Sequence, residues 1–350
     1  MQVPPPHFSI IVVNLDRKDL LQAALQSLMR QVNVAAHEAE VVVIDNGSQD
    51  GSAEMVEREF SAGPFPVTLI RNSTNKGFCE ANNQGIAVAR GEFVVLLNND
   101  AEADCGWLRE LSQAFHFADG VGMAASKILV WEDPRRIDKA GHLIFLDGQN
   151  RGRGSGELDQ GQYDTMEEVL WPDGCAAMYR REMLREIGGF DEDFFAYADD
   201  AELGLRARIA GWNCVYAPKA VVRHHRGSTM GVRSLRRVEL IERNRVLLVA
   251  KHFPWSLLCL NAALYGARIA AGIWAAIRNK GEISRYRGWS TKLRLALSLL
   301  RADLEAARML PRMWRKRREM NSMRRVSSRQ LWKLLWKHRI SLRELSQQAI

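Results

Sequence analysis

The first hundred residues alternate between two hydrophobic periods, and that alternation constrains the fold more than any other feature of the chain. "FSIIVVN" (8–14) is an apolar run of strand length, and "DLLQAALQSLMRQ" (19–31) sets Leu21, Leu25, Leu28 and Met29 on one helical face. "EVVVIDNGSQDGS" (40–52) reads as a strand running into a turn, and "AEMVEREF" as a short helix. "VTLIRN" (67–72) is a strand, "FCEANNQGIAVAR" (78–90) a helix closed by Gly91, and "EFVVLLN" (92–98) the fourth strand. This rhythm predicts an α/β fold, a mostly parallel sheet with helices on both faces.

Ligands on such sheets bind beyond the carboxyl ends of the strands. Those ends are all polar here: Asn14, Asp45-Asn46, Arg71-Asn72 and Asn98-Asn99-Asp100. Asn and Asp favour turns for local reasons, so one polar end means little. Four on one edge point to a site.

Bulk properties narrow the setting. The five cysteines are scattered with no C-x-x-C, which fits a reducing compartment better than a disulfide framework or zinc site. The start, "MQVPPPHFSIIVV", lacks a basic region and has too short an apolar run for a signal peptide, so a cytosolic location is expected. Charge is split: residues 1–222 hold 20 basic and 34 acidic side chains, net −14, and residues 223–350 hold 29 and 7, net +22. An acidic body and a basic tail with different partners are implied. A Rossmann dehydrogenase needs G-x-G-x-x-G after the first strand, where this chain has "NLDRKDLL", and no P-loop motif occurs.

Three clusters carry chemistry. Asp100, at a strand tip flanked by amides, suits a hard divalent cation that takes its other ligands from phosphate and water, although capping of the next helix would also use it. In "FAYADDAELGLRARIAG" (195–211), Asp199 and Asp200 open a helix that carries a Glu202–Arg206 pair and ends at Gly211. Helix-dipole compensation accounts for acids there, but adjacent carboxylates also raise each other's pKa and so suit proton abstraction. "VVRHHRGST" (221–229) offers two histidines at the acidic-to-basic junction, either structural or in contact with metal and phosphate.

The remainder is organised more loosely. "DGQNRGRGSGELDQGQYD" (147–164) reads as a mobile, lid-like loop. Residues 255–277 have the length of a membrane span but contain Arg268 and Asn261. Beyond them, Trp-studded basic helices such as "SSRQLWKLLWKHRI" combine the apolar and cationic faces of an interfacial helix, with Leu331, Leu334 and Leu335 beside Trp332. A helical bundle docked on the acidic body is the alternative.

Taken together, "IVVNLDRKDLLQAALQSL", "VVVIDNGSQDGS", "NKGFCEANNQGI", "FVVLLNNDAE", "GGFDEDFFAYADDAELGLRARIAGW" and "HHRGST" resemble the family 2 glycosyltransferases of GT-A fold, in their rhamnosyltransferase-like branch. The resemblance implies a GT-A catalytic domain over 1–235 and a basic, membrane-associating helical region over 236–350. It implies an inverting, metal-dependent transferase moving a sugar, with rhamnose favoured, from a nucleotide-diphosphate donor to a glycan or lipid-linked acceptor in cell-envelope polysaccharide synthesis. By position, Asn14 and Asp45 match nucleoside contacts, Asn75 and Gly77 the loop closing over the nucleotide, and Asn98, Asn99 and Asp100 the family's DxD. Asp100 with His224 would hold Mg²⁺ or Mn²⁺. Asp199 and Asp200 match the acidic pair whose second member is the base. The expected location is the cytoplasm, peripheral on the inner membrane face, with no nucleic-acid partner. A non-catalytic nucleotide-sugar-binding protein of the same fold is the other reading.

Overall fold

Strands and helices alternate through the first hundred residues, as their apolar periods require. The computed structural model describes residues 5–226, 234–278 and 288–347. Its strands are β1 (Phe8–Asn14), β2 (Ala39–Asp45), β3 (Val67–Arg71), β4 (Phe93–Leu97), β5 (Ala101–Ala103), β6 (Val121–Val130), β7 (Ile137–Lys139), β8 (His142–Ile144), β9 (Asn150–Gly152), β10 (Glu167–Val169), β11 (Ala176–Arg180) and β12 (Asn213–His224). Its helices are α1 (Lys18–Met29), α2 (Ser52–Phe60), α3 (Gly77–Val88), α4 (Trp107–Ser112), α5 (Arg181–Ile187), α6 (Asp199–Ile209), α7 (Leu235–His252), α8 (Trp255–Ile277), α9 (Trp289–Asn321), α10 (Ser328–Lys337) and α11 (Leu342–Gln347). Gly227, Ser228 and Thr229 of the "HHRGST" motif lie outside the described residues.

β1 pairs in parallel with both β2 and β4, and β2 pairs in parallel with β3. The main sheet runs β10-β12-β6-β11-β4-β1-β2-β3. β11 lies antiparallel between β4 and β6, which makes the sheet mixed. Alternate residues of the parallel strands enter opposite layers, as the strand period of two demands. Ile10, Val12, Val41, Val43 and Val95 pack with Leu21, Leu25 and Leu28 of α1 and Met55 and Val56 of α2. Ile11, Val42, Ile44, Val94 and Leu96 face the other way, into a layer that includes Cys79 and Ala81 of α3. Burying each large aliphatic side chain stabilises by about 1.5–3 kcal/mol, so this two-sided pattern fixes the register strongly.

That second layer also contains Leu247 and Leu248 of α7, Met313 and Met320 of α9, and Leu331 and Leu335 of α10. The C-terminal helices therefore complete the core on one face of the sheet. Basic side chains from them pair with the acidic body: Lys251 with Asp191 and Glu202, Arg268 with Asp147, and Lys337 with Glu168.

Two local expectations are corrected. The leucine face of α10 does not lie open for a membrane; Leu331 and Leu335 are buried, and the helix is tied down by a main-chain bridge from Arg339 to Ile144. The stretch 147–164 is not a free lid. β9 pairs with β8, Asp147 and Arg151 are buried, and Asp159 and Asp164 both pair with Lys127. Glycine and charge there serve turns and buried ion pairs rather than mobility.

Candidate active site

The register of the parallel strands places Asn14 beside Asp45. One strand over, the turn after β4 brings Asn99 to Asn14, whose Oδ1 accepts from Asn99 Nδ2 at 2.7 Å inside the protein. Asn14 Nδ2 donates onward to Ser48 Oγ at 3.1 Å, and Ser48 N donates to Asp45 Oδ2 at 3.2 Å. Asp45 Oδ1 is buried and lacks a hydrogen-bond partner among the described residues. Buried polar atoms are normally satisfied, so an open acceptor at a strand end marks a place for a ligand donor.

Asn75 shapes the next loop. Its Oδ1 accepts from Gly77 N at 2.8 Å and from Asn46 Nδ2 at 3.0 Å. Gly77 has φ +83°, and a Cβ there would come within 2.5 Å of a ring carbon of Phe195. Glycine is required twice over at this position. Asn98 is half-buried, its main-chain N–H donating to Cys175 O at 2.8 Å.

Asp100 and His224 come together through strand pairing. β5 runs antiparallel to β12 with His224 opposite Ala101, and His225 N donates to Asp100 O at 2.9 Å. His224 Nε2 then stands 3.4 Å from Asp100 Oδ1, while Nδ1 is 2.7 Å from Asp138 Oδ2. Burial opposes charge on His224, but the Cys175 sulfur, Asp100 and Asp138 outweigh it and raise its pKa well above the ordinary value. Burial would likewise raise Asp138, yet Lys139, His224 and Arg226 bring it down to about 2. The "VVRHH" junction thus contributes one histidine to the site; His225 instead stacks on Trp131, with ring centroids 4.3 Å apart.

Asp199 and Asp200 begin α6, as expected, and the Glu202–Arg206 pair forms at 2.7 Å. Asp200 Oδ2 lies 3.4 Å from His142 Nε2, and the same nitrogen is 2.9 Å from Asp173 Oδ2. Lys139 Nζ sits 2.5 Å from that Asp173 oxygen. Burial raises both members of the acidic pair. Asp199 rises further because the Asp200 charge adds to its burial, whereas His142 and Lys139 hold Asp200 back. Asp200 is therefore the member that ionises more readily.

His142, Asp173 and Asp200 offer ligand atoms all within 4.8 Å of one another, a geometry that a cation could use. The Lys139 ammonium already neutralises Asp173 there. Asp138 and Lys139 are neighbours on β7, and successive strand side chains point to opposite sides. One serves His224 and the other Asp173. Neither Asp138, Lys139, His142 nor Asp173 stands out in the sequence; the only signal is a charged pair inside the short apolar strand of "RIDKAGHLI".

Comparison with known proteins bears on the family and the fold. Residues 9–188, just over half of the chain, match the model of "Glycosyl transferase family 2". An O-antigen biosynthesis protein RfbC of Myxococcus xanthus is 30% identical over 71% of this chain and 19% of its own length. An N-acetylglucosaminyl-diphospho-decaprenol L-rhamnosyltransferase of Mycobacterium tuberculosis is 27% identical over 55% of this chain and 68% of its own. The chain spans about a quarter or less of two curated relatives it matches, RfbC and an uncharacterised Sinorhizobium fredii protein. Among solved structures, GalNAc-T7 with UDP, GalNAc and Mn²⁺ superposes with TM-score 0.56 at 16% identity, over 71% of this chain and 48% of that one. The mannosyltransferase PcManGT of Pyrobaculum calidifontis, with GDP-Man and Mn²⁺, gives 0.52 at 18% identity over 95% and 88%. These two share the GT-A fold with the present protein. The chain belongs to glycosyl transferase family 2.

Proposed function

We propose that this glycosyltransferase moves a sugar from a nucleoside-diphosphate donor to an acceptor hydroxyl, with inversion at the anomeric carbon and with Mg²⁺ or Mn²⁺ bound at Asp100 and His224. The observation that carries the reading is the Asp100–His224 pair, 3.4 Å apart at the carboxyl edge of the sheet. Neighbouring ligands in an octahedral shell of radius about 2.1 Å lie about 3 Å apart, so the pair fits adjacent positions of one ion after slight closure. Asp138 holds Nδ1 and turns Nε2 inward, the arrangement usual behind a metal-bound histidine. The donor set is one oxygen and one nitrogen, which leaves the rest of the shell to diphosphate and water. When bound, the ion would neutralise charge developing on the leaving diphosphate.

The chain's own groups do the rest. Asp45 Oδ1 is an unmet buried acceptor beside Asn14, suited to a nucleoside N–H. Asn99 braces Asn14 instead of facing outward, and Asn75 shapes the loop that ends at Gly77. Asn98 is the half-buried member of the triplet and remains exposed enough to reach the donor. Asp200 takes the acceptor proton, its pKa raised by burial toward the working pH but restrained by His142. Asp199 lies in the first turn of α6, and the charge that adds to burial in raising Asp200 comes from Asp173. The relatives' printed names favour a rhamnosyl donor and a lipid-linked or polysaccharide acceptor of the cell envelope.

Such an acceptor lies at the cytoplasmic membrane surface, and the outward face of α8 and early α9 suits that location. α8 is long and apolar enough to cross a membrane, and little of it is buried. Leu260, Ile273, Trp274 and Ile277 are exposed on it, followed by Trp289, Leu293, Leu297, Leu300 and Leu304 on α9. Arg268 turns inward instead, to Asp147 and to Glu242 at 2.8 Å. Breaking such a buried pair costs about 3–5 kcal/mol, which favours α8 lying in the interface over spanning it. The test of the whole reading is a donor screen. Turnover of a dTDP-, UDP- or GDP-sugar should require Mn²⁺ or Mg²⁺, and a protein that binds these donors without turnover is a sensor instead.

A further inference from the structure

The segment leading into the acidic pair has an unfavourable backbone. Phe195 (φ 61°), Tyr197 (φ 69°) and Ala198 (φ 55°) all have positive φ, which side chains with a Cβ rarely adopt. Such conformations persist only when surrounding groups over-determine them. The constraint here comes from α7. Asn244 is fully buried, and its Nδ2 donates to Phe194 O at 2.8 Å, Ala196 O at 2.9 Å and Tyr197 O at 2.7 Å. Its Oδ1 accepts from Arg243 Nε at 2.9 Å, which fixes the orientation of the amide. Arg243 adds bonds to Asp193 O and Phe194 O at 3.1 and 3.0 Å, and reaches Glu305 of α9 at 2.6 Å.

The clamped segment serves both halves of the site. Phe195 O accepts from Phe78 N at 2.7 Å and Cys79 N at 3.2 Å in the first turn of α3, and the Phe195 ring covers Gly77. Four residues after Phe195 the same chain delivers Asp199 and, next to it, Asp200. We infer that Asn244 is a positioning residue: through segment 194–198, with its three positive-φ residues, it holds the acidic pair and the Gly77 loop at one fixed separation. This rests on the reading that Asp200 is the base and that the Gly77 loop meets the donor. The sequence gives Asn244 no prominence, since it sits inside an amphipathic basic helix.

Asn244→Asp keeps the shape and replaces the only donor with a carboxylate facing three carbonyls; Asn244→Ala removes the side chain beyond Cβ. Both are expected to lower kcat for sugar transfer about 100-fold or more, with the donor KM changed less than about threefold, in protein that still unfolds cooperatively. Amide hydrogen exchange at Phe78 and Cys79 should quicken in the ligand-free variants, a readout independent of chemistry. Ala198→Gly, which accepts positive φ freely, should restore at least tenfold of kcat in the Asn244→Ala background. A wild-type kcat in Asn244→Asp, or unchanged exchange at Phe78 and Cys79, would overturn the inference. So would a kcat loss that tracks thermal destabilisation and is not rescued by Ala198→Gly. Asp200→Asn run alongside separates the two claims, because full activity there removes the base assignment while the exchange result still judges Asn244.

Discussion

His224 Nδ1 stands 2.7 Å from Asp138 Oδ2, and this bond directs Nε2 of the same ring toward Asp100. Orientation of this kind is worth 10–100-fold in metal affinity where it has been removed from other sites. Asp138→Asn should therefore weaken Mn²⁺ binding by about that factor, read by calorimetric titration at pH 8.5. The metal needs a neutral imidazole, and the His224 pKa is raised above its ordinary value. Mn²⁺ affinity of the wild type should accordingly go on strengthening as pH rises above the ordinary imidazole value of about 6.5, and a flat profile there would remove His224 from the metal's ligands.

Asp200→Asn preserves volume and removes basicity. The expected result is a fall in kcat of about 10²–10⁴-fold with donor binding intact by calorimetry. Asp199→Asn should retain far more activity. The reverse ranking would assign the base to the other carboxylate.

Asp199 makes a separate prediction about stability. Its pKa is raised by burial and by the Asp200 charge, so the folded protein keeps it protonated while the unfolded chain ionises it from about pH 4 upward. Folding then takes up a proton, and stability falls as pH rises through that window. Asp199→Asn should melt higher than wild type at pH 8, with the gap narrowing as pH falls toward about 4. Equal melting temperatures at pH 8 would mean that Asp199 is not held in an unfavourable environment.

The exposed leucine row of α9 gives the membrane reading a test that leaves the core alone. Truncating the chain at residue 235 would strip Leu247, Leu248 and Met313 from the core, so substitution is the better probe. Leu297→Ser with Leu304→Ser should reduce flotation with anionic liposomes several-fold, since each fully buried leucine is worth about 1.5–3 kcal/mol. Trp336→Ser on α10 should have little effect. Loss of flotation by the α10 change alone would place the contact surface elsewhere.

The parts of this fold that were legible in the sequence are those fixed by local periodicity. β1 to β4 and their helices lie close to where apolar period and turn chemistry put them, and the polar strand ends converge as the parallel order requires. What was hidden depends on long-range pairing. Asp138 and Lys139 acquire meaning only because β7 joins β6 next to the end of β12, and Asn244 only because α7 folds back over residues 194–197. The amphipathic pattern of α10 was real, but a pattern alone does not say whether protein or lipid covers it. Here Leu331 and Leu335 face protein.

The central claim is metal-assisted transfer from a nucleoside-diphosphate sugar, with Asp100 at the metal. The most direct measurement is release of nucleoside diphosphate from a panel of dTDP-, UDP- and GDP-sugars, with acceptor lipid extract, in EDTA and after Mn²⁺ is restored, for wild type and Asp100→Asn. The account requires at least one donor to be turned over by the wild type, activity to vanish in EDTA and return with Mn²⁺, and Asp100→Asn to stay inactive in both. Turnover in EDTA equal to that in Mn²⁺, or an Asp100→Asn variant as active as wild type, would contradict it.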